Sequence, residues 1–124
     1  MTWQQHERAP HNFRNPIPGV HVSRDLRKLQ FNTLAAAMVL DEEALVLLWD
    51  GDRIAFRPVD VDHRHGYALA HIGASAWLEC RGFIHARGYR PHQSWDVHED
   101  GDLIIGVPVL TASRAMADMA AGAR

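Results

Sequence analysis

Two ten-residue segments of this chain share one pattern: DGDRIAFRPV at 50–59 and DGDLIIGVPV at 100–109. Each begins with Asp-Gly, a pair that supplies the positive φ angles of a tight hairpin turn. Each then continues as an apolar run that closes on Pro-Val. The segments before them, ALVLLWD at 44–50 and SWDVHE at 94–99, have the composition of β-strands. The pattern therefore predicts two β-hairpins, placed fifty residues apart.

The segments upstream of the two hairpins also follow a similar order. In the first half, VHVS (20–23) and LQFN (29–32) are predicted strands on either side of a basic turn, and Asn32 or Thr33 is a suitable N-cap for the helix LAAAMVL. In the second half, YALAHI (67–72) is a predicted strand, and Ser75 is predicted to cap a helix, AWLECRGF. The segment IHARGYRPHQ (84–93) is then interpreted as an inserted loop. This shared order favours an internal duplication over chance recurrence of Asp-Gly turns.

Neither half can bury its sheet face alone, because an isolated hairpin is marginally stable in water. The two halves are therefore predicted to close into one α+β, mostly β, pseudo-two-fold barrel, and 124 residues are typical of a single domain. The predicted organisation is a flexible N-terminal arm (1–19), a barrel domain (20–110) and a C-terminal helix (111–124). Within the barrel, the first repeat spans 20–59, the linker 60–66 and the second repeat 67–109.

Composition narrows the classes of function. The chain carries a net charge of −2 and a single cysteine, so neither a strongly basic protein nor a disulfide-stapled secreted fold is expected. It has no apolar window long enough for a membrane span, and its first residues do not resemble a signal peptide, so a cytoplasmic protein is expected. Charge is uneven, with a net +3 over residues 1–40 and −5 over the remainder. A surface for polyanions is therefore expected near the N-terminus.

The span from Val20 to Val59 resembles the AbrB/SpoVT family of swapped-hairpin DNA-binding domains. The resemblance rests on the basic turn SRDLRK between two strands, the short helix and the ending WDGDRIAFRPV; residues 67–109 look like a diverged second copy. It implies that the two copies interlock into one barrel and that the protein is a DNA-binding transcriptional regulator or antitoxin-like protein. The positions that match the family's DNA-contacting residues are Arg24, Arg27 and Lys28. Asn32 and Arg14 are further candidates for contacts with double-stranded DNA.

The chain departs from this family in two respects. Its first helix, beginning Leu34-Ala35-Ala36-Ala37, carries no arginine, and the second copy has no basic turn. A symmetric DNA reader needs two basic edges, so either the chain forms a homodimer or DNA binding has been lost. The alternative function is a non-enzymatic module that uses the same barrel for protein interaction or self-assembly.

Other residue types that carry chemistry give weaker hypotheses. His63 and His65 in the segment DVDHRHG could chelate Zn²⁺ or Ni²⁺, but a solvated linker explains them better because no second cluster completes a ligand shell. Cys80 has apolar neighbours at helical spacing, which favours a buried structural thiol over a nucleophile. No active site, metal or cofactor is therefore predicted, and the protein is expected not to be an enzyme.

The tryptophans at positions 49, 77 and 95 are predicted to pack in the core. Trp49 and Trp95 both lie on strands that lead into the hairpins, and they are interpreted as equivalent anchors of the two repeats.

Overall fold

The structure, a computed structural model, describes residues 2–5 and 17–109. Arg14 and the predicted C-terminal helix (111–124) lie outside these ranges. The described chain forms eight strands and two short helices: β1 (Gly19–Val22), β2 (Lys28–Phe31), α1 (Thr33–Met38), β3 (Ala44–Asp50), β4 (Arg53–Val59), β5 (Gly66–Ile72), β6 (Ser75–Glu79), α2 (Arg81–Arg87), β7 (Ser94–Asp100) and β8 (Leu103–Pro108). Neither helix is long and apolar enough to cross a membrane.

All eight strands belong to one closed antiparallel barrel with the neighbour order β1-β2-β6-β5-β3-β4-β8-β7. The predicted mostly-β barrel is therefore confirmed. Exchanging β1–β4 with β5–β8 leaves every neighbour relation in this order unchanged. Four strand pairs, β1–β7, β2–β6, β3–β5 and β4–β8, join one half of the chain to the other, and β2–β6 and β4–β8 lie on opposite walls of the barrel. Each half thus completes the sheet of the other.

The two Asp-Gly hairpins lie where the repeated segment predicts them. Gly51 and Gly101 both adopt φ of 63°, the left-handed conformation that such a turn requires. The β3–β4 hairpin is paired along its full length, from Asp50–Arg53 at the turn to Ala44–Val59 at the open end. The turn and the alternation of buried and exposed residues act together here, because both fix the same register.

The predicted helix after Ser75 is wrong, because Ser75–Glu79 is strand β6. Ala76 and Leu78 are buried while the residues between and beside them are more exposed, and this period of two fits a strand. Gly73, at φ 58°, turns β5 into β6. Helix α2 begins only at Arg81, after the buried Cys80, and ends at the left-handed Gly88. The predicted inserted loop is accordingly shorter, since residues 84–87 are helical.

The core fills the inside of the barrel with the inward side chains of both halves. Its largest fully buried members are Trp95, Phe56, Leu29, Leu45, Ile54, Leu78 and Ile84. Gly106 lies among them, and a Cβ at this position would stand 2.8 Å from Cγ1 of Ile54. Close packing at this point therefore leaves no room for a side chain.

The prediction that Trp49 packs in the core is wrong. Trp95 is fully buried, whereas Trp49 is 53% exposed at the end of its strand. The two residues are not equivalent, since Trp49 directly precedes its Asp-Gly turn and Trp95 lies five residues before the corresponding Asp100. Counted back from the first turn, the position that matches Trp95 is the buried Leu45.

Candidate nucleic-acid interface

The basic turn between β1 and β2 is held by a compact set of hydrogen bonds around Ser23. The Ser23 hydroxyl donates to Asp25 Oδ1 at 2.7 Å and accepts the backbone N–H groups of Lys28 at 3.0 Å and Arg27 at 3.3 Å. Leu26 adopts φ 62° and packs its side chain against the core. The hydrogen bonds of Ser23 and the packing of Leu26 therefore fix the turn on the barrel, and the side chains of Arg24 and Arg27 extend into solvent.

Asp25 is the one acidic residue of this turn. The hydrogen bond from Ser23 lowers the pKa of its carboxyl group most, and the backbone N–H of Arg27 and the charges of Lys28 and Arg27 lower it further. The group is thus ionised at neutral pH. The Asp25 carboxylate orders the turn because it accepts hydrogen bonds from the Ser23 hydroxyl and the Arg27 amide. It also partly offsets the positive charge around it.

Lys28 is less available than the two arginines. It is half-buried on β2, faces Glu79 in the β2–β6 register, and places its ammonium 5.3 Å from the centre of the Trp77 ring. A cation over an indole face is stabilised by the ring quadrupole. Of the three cations predicted from the basic turn, Arg24 and Arg27 are therefore the exposed pair, and Lys28 is partly engaged by neighbours.

Two segments distant in sequence lie on either side of this turn. The Cys80 N–H donates to the Arg27 carbonyl at 2.9 Å, so Arg81, the first residue of α2, follows directly beside it. On the other side, the His92 N–H donates to the Val22 carbonyl at 2.9 Å, which brings the loop that contains Arg90 to the end of β1. Arg81 and Arg90 are both exposed.

We call the surface formed by Arg24, Arg27, Arg81 and Arg90 the basic end. Sequence reasoning missed Arg81 and Arg90 because no local pattern links them to a turn more than fifty residues earlier. Together with Lys28, the basic end contains five cations, against the two carboxylates of Asp25 and Glu79. Its local net charge of +3 contrasts with −2 for the whole chain.

Asn32, predicted both as a helix cap and as a DNA contact, has a structural role. Its Oδ1 accepts the N–H of Ala35 at 2.9 Å, which caps α1, and also the N–H of Gly19 at 3.1 Å. Its Nδ2 donates to the Ile17 carbonyl at 2.9 Å. The side chain thus joins the start of α1 to the start of β1, at the end of β2 remote from the basic turn. The prediction of an N-cap at Asn32 or Thr33 is confirmed at Asn32.

A cleft of about 810 Å³ lies next to the basic end, between the β3–β4 turn and the loop before β7. Arg87, Arg90 and His92 contribute to its lining, and Asp52 is the acidic residue there. The Arg87 guanidinium stacks on the exposed Trp49 ring at 3.7 Å from the ring centre. One wall of the cleft is therefore cationic and anchored on an aromatic side chain.

Beneath this wall a chain of aromatic rings reaches the core. Tyr89 packs edge-on against Trp95 at 4.8 Å between ring centres, and Trp95 Nε1 donates to the Asp52 carbonyl at 2.9 Å. The Tyr89 hydroxyl is buried without a hydrogen-bond partner, and its burial raises its pKa. The contacts connect the cleft rigidly to the barrel interior.

The histidines of the linker do not form a larger ligand group. The His65 N–H donates to Nδ1 of His63 at 3.1 Å, and the two ring centres lie 6.1 Å apart. Over residues 2–5 and 17–109, no three His, Cys, Asp or Glu side chains converge on a point where a metal ion could be held.

Cys80 is buried between β6 and α2, and its thiol lies 3.6 Å from the Leu78 carbonyl. Burial raises the pKa of this thiol to about 12. Because the thiolate is the nucleophilic form, a thiol with this pKa is not activated at neutral pH.

Comparison with models of known protein families finds no match to this chain. Neither the curated proteins nor the solved structures contain a significant match.

Proposed function

We propose that this protein is a small DNA-binding regulator that contacts the phosphate backbone of double-stranded DNA through the basic end. The observation that carries the proposal is that backbone hydrogen bonds bring three segments together at one end of the barrel, and these segments carry the exposed residues Arg24, Arg27, Arg81 and Arg90. A group of arginines on a fixed framework can neutralise several phosphates at once and release their counterions. Guanidinium groups are also suited to guanine edges in the major groove.

We also propose that the barrel arose by internal duplication. The unchanged strand order on exchange of the two halves supports an internal duplication, and with the basic turn it supports the resemblance to AbrB/SpoVT domains. The second half has Gly73 and Ala74 where the first has its basic turn. One chain therefore offers one basic end, and a two-fold symmetric DNA site would need two chains.

Charge reversal of single arginines tests this function with a matched control. Arg27→Glu removes a cation from the basic end, while Arg64→Glu makes the same charge change at an exposed position of the linker. Binding to a fluorescent duplex of random sequence is measured by anisotropy at several salt concentrations. We expect Arg27→Glu to weaken binding and to lower the salt slope by about one unit, as the loss of one phosphate contact does. Arg64→Glu should change neither. Equal effects of both variants would indicate only a general charge effect and would refute the proposed site.

The second candidate function is an interaction or self-assembly module, and a different surface favours it. The outer wall formed by β4 and β8 carries a shallow apolar groove of about 230 Å³ on the side of the barrel opposite β2 and β6. Wild-type protein that binds no DNA at low salt would leave this module as the function that the structure supports.

A further inference from the structure

The outer wall of the barrel has an apolar centre on β4 and β8, one of the strand pairs that join the two halves. On β8 the outward positions are Leu103, Ile105 and Val107, which alternate with the buried Ile104 and Gly106. On the neighbouring β4, Ala55 lies directly opposite Ile105. Leu48 of β3 extends the apolar surface behind Ala55. This wall is therefore a strip of partly exposed aliphatic side chains across three strands.

Charges flank this strip with opposite signs on its two sides. The outward residues of β4 on either side of Ala55 are Arg53 and Arg57. On β7, beyond β8, the outward residues Asp96 and Asp100 pair with Val107 and Leu103. Arg53 binds Asp50 of its own hairpin at 2.7 Å, and this is the only ion pair within residues 2–5 and 17–109. Arg57 therefore has no acidic partner among the described residues.

We propose that this wall binds a second copy of the chain across a two-fold axis that runs parallel to the strands and passes over β8. Such a rotation places β8 over β8 of the partner subunit and β4 of each subunit over β7 of the other, because β4 and β7 are the two neighbours of β8. The aliphatic strips then face each other at the spacing of about 10 Å that is typical of packed sheets. An interface of this kind is isologous, so each contact occurs twice.

The same rotation brings unlike charges together. The β4–β8 register, continued by one residue, places Arg57 beside Leu103, whose other neighbour is Asp100. Because Arg57 and Asp100 lie on the two sides of β8 at the same level, Arg57 of one copy lies over Asp100 of the partner subunit. Arg53, whose neighbour on β8 is Val107, likewise lies over Asp96 of the partner subunit. A rotation about the perpendicular axis would instead set Arg53 against Arg57, so the charges select one of the two arrangements.

The proposed dimer is independent of the DNA-binding proposal. The basic turn joins β1 to β2, and β2 lies on the wall opposite the β4–β8 pair. Formation of this dimer leaves the basic end of each subunit uncovered. Loss of the dimer and loss of DNA binding are therefore separate experimental outcomes.

A charge exchange tests the dimer directly by sedimentation equilibrium over a range of protein concentrations. The wild type should show a reversible transition from the 14.0 kDa chain to twice that mass. Arg57→Asp and Asp100→Arg should each raise the dissociation constant about tenfold or more, since each places like charges in contact twice. The double variant Arg57→Asp/Asp100→Arg should return the constant to within about threefold of the wild-type value. Arg64→Asp, which makes the same charge change outside this wall, is the control.

Near-ultraviolet circular dichroism of the four tryptophans reports folding of each variant. If Arg57→Asp unfolds, Arg57→Gln removes the charge with a smaller change in shape and should still weaken association. A wild type that remains monomeric at all concentrations would overturn the proposal. Single variants that associate like the wild type, or a double variant that does not recover, would overturn it equally.

Discussion

Replacement of Asn32 by alanine tests whether this side chain is a structural joint or a DNA contact. The change removes three hydrogen bonds, two accepted by Oδ1 from Ala35 and Gly19 and one donated by Nδ2 to Ile17. Loss of the helix cap alone costs about 1 kcal/mol. The other two bonds each contribute about 0.5 kcal/mol, the low end for partly exposed groups that water can solvate. The free energy of unfolding should therefore fall by about 2 kcal/mol.

Urea denaturation followed by tryptophan fluorescence measures this loss, with an unchanged m-value as the sign that only stability has changed. Asn32→Asp is the matched variant, because its carboxylate still accepts the two N–H groups but cannot donate to the Ile17 carbonyl. It should lose less stability than the alanine variant. An alanine variant within about 0.5 kcal/mol of the wild type would refute the structural role, since surface substitutions without such a role fall in that range. Weaker DNA binding in a fully stable variant would instead support the original prediction of a DNA contact.

Two further predictions concern the barrel interior. Gly106→Ala should destabilise the protein by about 1–3 kcal/mol through overpacking against Ile54, as measured by urea denaturation. The double variant Gly106→Ala/Ile54→Ala should lose less stability than the sum of the two single losses. Additive losses would contradict the close approach. For Cys80, the raised pKa means that the folded state holds its proton where the unfolded state, with a pKa near 9.0, releases it. The free energy of unfolding should therefore fall as pH rises above about 9, and Cys80→Ser should lack this pH-dependent loss. Alkylation of the Cys80 thiol at pH 8 should occur no faster than unfolding. Rapid alkylation of the folded protein would contradict the burial of the thiol.

The hairpins were predictable because their information is local. In β3, β4, β7 and β8 the turn residues and the alternating burial specify one register, and the structure has these strands close to the expected bounds. Strand β6 was not predictable in the same way. Its sequence, SAWLE, is compatible with a helix, and only pairing with β2 and β5 on both sides makes it a strand. Tertiary context overrides local propensity in such short segments.

Within the candidate site, too, only the residues that lie close together in sequence were predictable. Arg24 and Arg27 were recognisable because they occur together in one turn between two strands. Arg81 and Arg90 join them only through backbone hydrogen bonds of the folded barrel, to which no sequence spacing points. Asn32 was assigned both as a cap and as a DNA contact from its residue type alone. The three hydrogen bonds of its side chain establish the capping role, and they join Ala35 of α1 to Gly19 of β1 and to Ile17 before it.

DNA binding by the basic end is tested by a salt titration of the wild-type protein with a fluorescent DNA duplex, followed by anisotropy. If the four arginines of the basic end each contact a phosphate, the slope of log K against log salt is about −3.6, and raising the salt from about 50 to about 200 mM weakens binding about 150-fold. We expect a steep loss of that order for the wild type and a smaller slope for Arg27→Glu. Anisotropy that stays flat at micromolar protein and about 50 mM salt would contradict DNA binding by the basic end.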